Sequence, residues 1–205
     1  ADGKDSAQLP GPDPALSSEL SELLAQMFGA EAANYGVALL DLSVRGVPRY
    51  AEHQGDLRQN PGSVGKLVIA LAIFQALADL YPDDLQARLR LLRETQVTAD
   101  EFILTDSHRV GLWDGENERL VRRPLAIGDT GSLFEFLDWM ISPSSNAAAA
   151  ICAKHAVLLR QFGRNYPVPA ERAAAFLEQA PAEELRGLLA KTLQEPVTRN
   201  GLDVS

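Results

Sequence analysis

The stretch 59-QNPGSVGKLVIA-70 decides how this chain is interpreted, because it places Gly, Ser and Lys directly before an apolar run. Ser63 and Lys66 are three residues apart, so they share one face if a helix includes both. The eight residues that follow Lys66 are all apolar, as in a helix buried on all sides. The sequence therefore predicts a helix over residues 61–80, with Pro61 in its first turn. Its predicted core residues are Leu67, Ile69, Leu71 and Phe74.

Two chemistries use a short loop of this composition. A phosphate-binding loop reads G-x-x-x-x-G-K-[ST], but its first glycine and its final hydroxyl fall on Asn60 and Leu67. A serine-lysine acyl-transfer site reads S-x-x-K. In that pattern Ser63 would be the nucleophile, and Lys66, removed from water, would be its base. The positive end of the helix dipole also favours an anion developing there. A serine that merely caps a core helix, with the lysine reaching outward, is the plain alternative for this stretch alone.

Composition limits the function classes that this chain can serve. The chain has 205 residues, 46% of them hydrophobic, which is enough for one sizeable domain. Its net charge of −9 argues against a nucleic-acid partner, which would need a basic surface. No apolar run suggests a membrane span, and the single Cys152 forms no internal disulfide. Cys152 and His155 could share one face of a helix, but a zinc site needs three or four ligands.

Hydrophobic periodicity and turn residues predict a mixed helix and strand chain. Residues 1–14 are predicted to be a flexible lead-in and residues 15–205 a single domain. Two capping patterns, Thr98 with Glu101 and Ser132 with Glu135, predict helix starts. The predicted helices cover 15–28, 84–94, 133–141, 146–162, 170–179 and 182–193, and the predicted strands cover 34–43 and 47–53, with a turn at 45–46 and a further hairpin at 108–123.

A second short motif follows Ser63 by 81 residues, in the stretch 142-SPSSNAAAA-150. Ser144 and Asn146 form S-x-N in a tight connection between two apolar helices. A hydroxyl there can pass a proton to a leaving group, and an amide can orient a substrate. An ordinary Ser/Pro/Asn turn between helices is the plain alternative.

The order of these elements and the two motifs together resemble the serine β-lactamase and penicillin-binding protein superfamily. The stretch "PGSVGK" resembles the P-G-S-x-x-K of penicillin-binding proteins, and "SLFEFLDWMISPSSNAAA" is similar to the helix and S-D-N-T-A loop of class A β-lactamases. The resemblance covers residues 15 to about 160. It implies a β-lactamase-like α/β (α+β) serine hydrolase fold, no cofactor or metal, a small-molecule or peptidoglycan-like substrate, and a periplasmic or extracellular location.

The resemblance also assigns expected roles. Ser63 would be the acylated nucleophile, Lys66 its base or the partner of its base, Ser144 a proton relay and Asn146 a contact for the amide of the substrate. The expected reaction is attack on a β-lactam or related amide, followed by hydrolysis of the acyl-enzyme. A D-alanyl-D-alanine peptidase and a non-catalytic scaffold are the alternatives. A Ser-His-Asp triad that uses His53 or His108 also remains open.

Three departures from the family pattern shape these expectations. Ser145 stands where class A enzymes have Asp, and Glu195 is the single faint candidate for a deacylating base, with Arg199 where the family has Asn. The third motif, K-[TS]-G on a strand, does not occur in the chain. We therefore expect a sheet that is incomplete, a domain truncated at its C-terminus, and near inertness of residues 1–205 alone toward β-lactams.

Overall fold

A computed structural model of the chain describes residues 11–43, 48–103 and 106–201. The chain divides into two compact units, with the boundary between Pro61 and Gly62. The predicted turn at 45–46 and most of the predicted lead-in lie outside the described residues.

The first unit contains a helix and a β-hairpin, as the sequence predicts. Helix α1, Pro14–Phe28, begins where the Asp13 carboxylate accepts hydrogen bonds from two backbone N–H groups of the first turn. Strands β1, Val37–Asp41, and β2, Arg49–His53, pair antiparallel, and α1 contacts β2. Most of β1 is exposed, although its sequence is largely apolar.

The second unit is mainly helical and carries both motifs. Its helices are α2 Lys66–Leu80, α3 Leu85–Glu94, α4 Leu133–Ile141, α5 Asn146–Phe162, α6 Ala170–Gln179 and α7 Ala182–Arg199. Its strands form two antiparallel pairs, β3 Gln96–Thr98 with β6 Thr130–Ser132 and β4 Val110–Asp114 with β5 Arg119–Arg123. The predicted helices and the 108–123 hairpin are thus present, and the chain has the mixed α/β character that the sequence predicts.

Four helices form the centre of this unit, since α2 and α4 both contact α5, and α7 packs against α2 and α5. Residues that are almost completely buried come from three of them: Ile73, Phe136, Met140, Ile151 and Leu159. Helix α4 begins at the capping box of Ser132 and Glu135 that the sequence predicts. Because α5 begins only a few residues after α4 ends, their connection holds the S-x-N motif against this core.

The core face of α2 differs from the prediction. Leu67 and Phe74 are 57% and 49% exposed, whereas Ile73 and Leu77 are buried. Ile69 and Leu71 are partly buried. An unbroken apolar run has no polar residue to mark its outer face, so periodicity could not identify the side that packs on α5.

Two local predictions were also wrong. Thr98 ends strand β3 instead of capping a helix with Glu101. Helix α2 begins at Lys66 and not at Pro61, because residues 62–65 form a 3₁₀ turn. Strands β3 and β6 were not predicted. Each has only three residues, which is too short to show an alternation of apolar and polar residues in the sequence.

One helical segment among the described residues, Gly62–Leu80, is long and apolar enough to cross a membrane by length and composition alone. A core helix of a globular domain passes the same test. The segment carries Lys66, which is buried and hydrogen-bonded, and α2 packs against α4, α5 and α7. Helix α2 thus has the contacts of a helix inside a folded domain, although most of the segment is not buried.

Candidate active site

Ser63 and Lys66 are aligned by the 3₁₀ turn Gly62–Gly65, which leads directly into α2. In a 3₁₀ turn, residues i and i+3 eclipse each other, so the two side chains point in the same direction. Gly62 enters the turn with a φ of +53°, a conformation that glycine adopts without a steric penalty. Gly62 thus permits the turn that aligns the serine and the lysine.

Ser63, Lys66 and Ser144 form a triangle of hydrogen bonds. The Nζ of Lys66 lies 3.3 Å from Ser63 Oγ and 2.9 Å from Ser144 Oγ. The two hydroxyl oxygens are 2.8 Å apart. The three groups to which the resemblance assigns one reaction thus lie together, with Ser63 and Ser144 separated by 81 residues of sequence.

Burial differs across the triangle. Ser63 is exposed, whereas Lys66 is only 8% exposed. A lysine ammonium has three N–H donors, and Lys66 Nζ contacts Ser63 Oγ, Ser144 Oγ and the Ser144 carbonyl oxygen. No salt bridge joins Lys66 to a carboxylate within the residues that the structure describes. The amine is therefore held by neutral oxygens beside a hydroxyl that solvent can reach.

Ser144 adopts an unusual backbone conformation. Its φ is +63°, in the left-handed region that a residue with a Cβ enters only at a steric cost. The loop is held on both sides, since Lys66 donates to the Ser144 carbonyl and the Ser145 N–H donates to the carbonyl of Trp139. Strained residues persist where the surroundings fix them, and they concentrate at functional sites.

A carboxylate outside both motifs, that of Asp106, anchors this loop. Its Oδ2 accepts from Ser145 Oγ at 2.8 Å, from Asn146 N at 2.6 Å and from Ala147 N at 3.2 Å. Its Oδ1 contacts His108 through the backbone N–H at 3.1 Å and the ring Nδ1 at 2.5 Å. The Asp106 side chain is 2% exposed.

Burial alone would raise the pKa of Asp106, but the hydrogen bonds from His108, from Ser145 and from backbone N–H groups outweigh it. The pKa of Asp106 therefore lies well below the ordinary value of 3.8. Asp106 was missed by the sequence analysis because it lies 39 residues before Ser145, outside either motif. Its tight local bond to the His108 N–H is an Asx-type turn, and such turns are too common to single out a functional aspartate.

The remaining predicted site residues are placed differently. Asn146 is the first residue of α5; its backbone N–H donates to Asp106, and its side chain is half-buried two residues after Ser144. Glu195 lies on α7 and bonds to Arg160 near the C-terminal end of α5. An α-helix rises about 1.5 Å per residue, so Arg160 lies roughly 20 Å along α5 from Asn146. The structure thus does not bring Glu195 to Ser63, because its helix packs against the opposite end of α5.

The histidines and the cysteine have other partners. His108 contacts Asp106, while His53 contacts Ser21 and a backbone carbonyl within the first unit. Burial raises the pKa of Cys152 to about 12 and lowers the pKa of His155 to about 3. Within the described ranges, no three His, Cys, Asp or Glu side chains are grouped closely enough to hold a metal ion.

Comparison with known proteins adds no further assignment: no family model, curated protein or solved structure matches the chain.

Proposed function

We propose that this protein is a β-lactamase-like serine hydrolase that forms an acyl-enzyme at Ser63. The observation that carries the proposal is the triangle of Ser63, Lys66 and Ser144. A non-catalytic scaffold would need neither an exposed Ser63 nor a buried Lys66, and both are found here. The resemblance of the two motifs to the superfamily agrees with the proposal, and a periplasmic or extracellular location is part of it.

In the proposed reaction, Ser63 Oγ attacks the carbonyl carbon of a β-lactam or a related amide. The hydroxyl proton of Ser63 passes to the Lys66 amine, and an ester bond forms as the C–N bond breaks. Ser144 donates its proton to the leaving nitrogen and takes one from Lys66. The Ser63 N–H supplies one donor for the oxyanion, and Asn146 is proposed to contact the amide of the substrate.

The fate of the acyl-enzyme separates the two enzymatic candidates. Turnover of a β-lactam needs a base that activates water beside the ester, and Glu195 lies at the other end of α5. Asp106 already accepts hydrogen bonds on both oxygens and is almost fully buried. These placements favour a long-lived adduct, as in a penicillin-binding D-alanyl-D-alanine peptidase, over rapid turnover as in a β-lactamase.

The test is intact-protein mass spectrometry after prolonged incubation with a penicillin. We expect a slow increase equal to the mass of one intact penicillin, because ring opening retains every atom. The rate should be low, since the sequence has no K-[TS]-G and one missing oxyanion donor costs about 10²–10³ in rate. A fluorophosphonate, which reacts with activated serines without needing a lactam site, serves as a second probe.

Two serine variants decide the assignment. Ser63→Ala should abolish both adducts, whereas Ser142→Ala, a change of the same size in the 142–146 loop, should leave them in place. Peptide mapping should locate the label on Ser63. If neither reagent labels the folded protein, or if the adduct survives in Ser63→Ala, the proposed function is wrong.

A further inference from the structure

We propose that Asp106 is the positioning residue of the S-x-N loop, supplying from a distant part of the chain the carboxylate that Ser145 lacks. The superfamily motif that the loop resembles has Asp between its Ser and Asn, and this chain has Ser145. The Ser145 hydroxyl donates to Asp106 Oδ2 at 2.8 Å, so the carboxylate bonded to this loop comes from Asp106. This inference rests on the proposed function of the site.

The contacts of Asp106 fix the residues on the C-terminal side of Ser144. Its Oδ2 accepts from the Ser145 side chain and from the backbone N–H groups of Asn146 and Ala147, so three successive residues are held by one oxygen. Ser145 is completely buried and also accepts from Ala148 N, which caps α5. The start of α5 therefore cannot rotate without breaking several bonds to a buried carboxylate.

Ser144 is held from both directions as a result. On one side Lys66 bonds its carbonyl oxygen, and on the other side Asp106 fixes Ser145 and Asn146. Between these two anchors the backbone of Ser144 stays at a φ of +63°, and its hydroxyl stays 2.8 Å from Ser63 Oγ. Release of the Asp106 anchor would let Ser144 relax to an ordinary conformation and carry its hydroxyl away from Ser63.

The variant Asp106→Asn tests this directly, because it keeps the shape of the side chain but replaces one acceptor oxygen with an NH₂ donor. In either orientation of the amide, this NH₂ group points at hydrogen-bond donors, either those of His108 or those of Ser145, Asn146 and Ala147. It cannot accept hydrogen bonds from them. Asp129→Asn is the matched control. Asp129 is also a poorly exposed carboxylate that accepts from a backbone N–H, at Ala126, and it is paired with Arg123 in a different part of the unit.

The first readout does not depend on enzymatic activity. In amide NMR spectra, Asp106→Asn should shift or broaden the resonances of Ser144, Ser145 and Asn146, while Asp129→Asn leaves them unchanged. Unchanged resonances in Asp106→Asn would overturn the proposed anchoring. If these shifts occur but the wild-type protein forms no adduct at Ser63, the anchoring stands and the proposed function fails.

The second readout is the rate of adduct formation with a penicillin at saturating concentration. Asp106→Asn should lower it at least tenfold, with less effect on the half-saturating concentration, whereas Asp129→Asn stays within twofold. The double variant Asp106→Ser with Ser145→Asp returns the carboxylate to the family position and should recover most of the rate. If Asp106→Asn fails to fold, the double variant still tests the positioning role of Asp106. An unchanged rate in a folded Asp106→Asn, or no recovery in a folded double variant, would overturn the positioning role.

Discussion

Ser144 offers a direct comparison of strain and function, because its φ of +63° is disfavoured for any residue with a Cβ. Two substitutions remove the same hydroxyl but differ in this strain. Ser144→Ala keeps the Cβ, and Ser144→Gly removes it. A left-handed conformation costs a non-glycine residue roughly 1–2 kcal/mol, and the extra freedom of glycine in the unfolded chain offsets about 0.5–1 kcal/mol of the relief. We therefore expect Ser144→Gly to be more stable than Ser144→Ala by about 1 kcal/mol.

Urea unfolding monitored by circular dichroism measures this difference, and in a chain of this size it corresponds to a shift of roughly 2–4 °C in Tm. Ser142 is the control position, because its φ of −70° is ordinary. There the order should reverse, with Ser142→Gly less stable than Ser142→Ala. Both Ser144 variants should lose adduct formation by the same factor, about 10²-fold or more for a missing proton relay. Equal stabilities of the two Ser144 variants, or the same order at both positions, would refute the left-handed conformation of Ser144.

Burial and charge lead to three further predictions. Ile73→Ala should destabilise the protein by about 2–5 kcal/mol because Ile73 is completely buried, whereas Phe74→Ala, at a half-exposed neighbour, should cost clearly less in the same urea titration. Glu195→Gln should leave the lifetime of a Ser63 adduct unchanged in a mass-spectrometric chase, because Glu195 bonds to Arg160 at the far end of α5. The lowered pKa of Asp106 makes its carboxylate harder to protonate when folded than when unfolded, so the stability it provides is present above about pH 4 and is lost as the pH falls through the folded-state pKa. Asp106→Asn should therefore flatten the acid side of a stability-against-pH curve.

Local sequence signals were sufficient where the structure depends on local interactions. The capping box of Ser132 and Glu135 marks the start of α4, and the S-x-N stretch marks the connection to α5. The spacing of Ser63 and Lys66 also predicts their alignment. These features depend on bonds between residues three or four apart, so a single sequence contains all the information that they need.

Two features that depend on distant residues were not predicted from the local sequence. Asp106 reaches Ser145 and Asn146 from 39 and 40 positions away, and nothing in the local pattern of "DSH" indicates that contact. The exposed side of α2 is a similar case, since Leu67 and Ile73 are equally apolar and only the position of the packed helices separates them. A resemblance to a family could suggest the three-group site, but it could not show which part of the chain anchors the loop.

The arrangement of charges around Ser63 bears on the fate of the acyl-enzyme that we propose. Lys66 Nζ contacts three neutral oxygens and forms no ion pair with a carboxylate within the described residues. Asp106 has both oxygens engaged and a pKa below the ordinary value, so it is a poor base for activating water. Because neither Asp106 nor Glu195 is placed to activate water beside Ser63, we expect the proposed ester to form faster than it is hydrolysed, as in the penicillin-binding candidate.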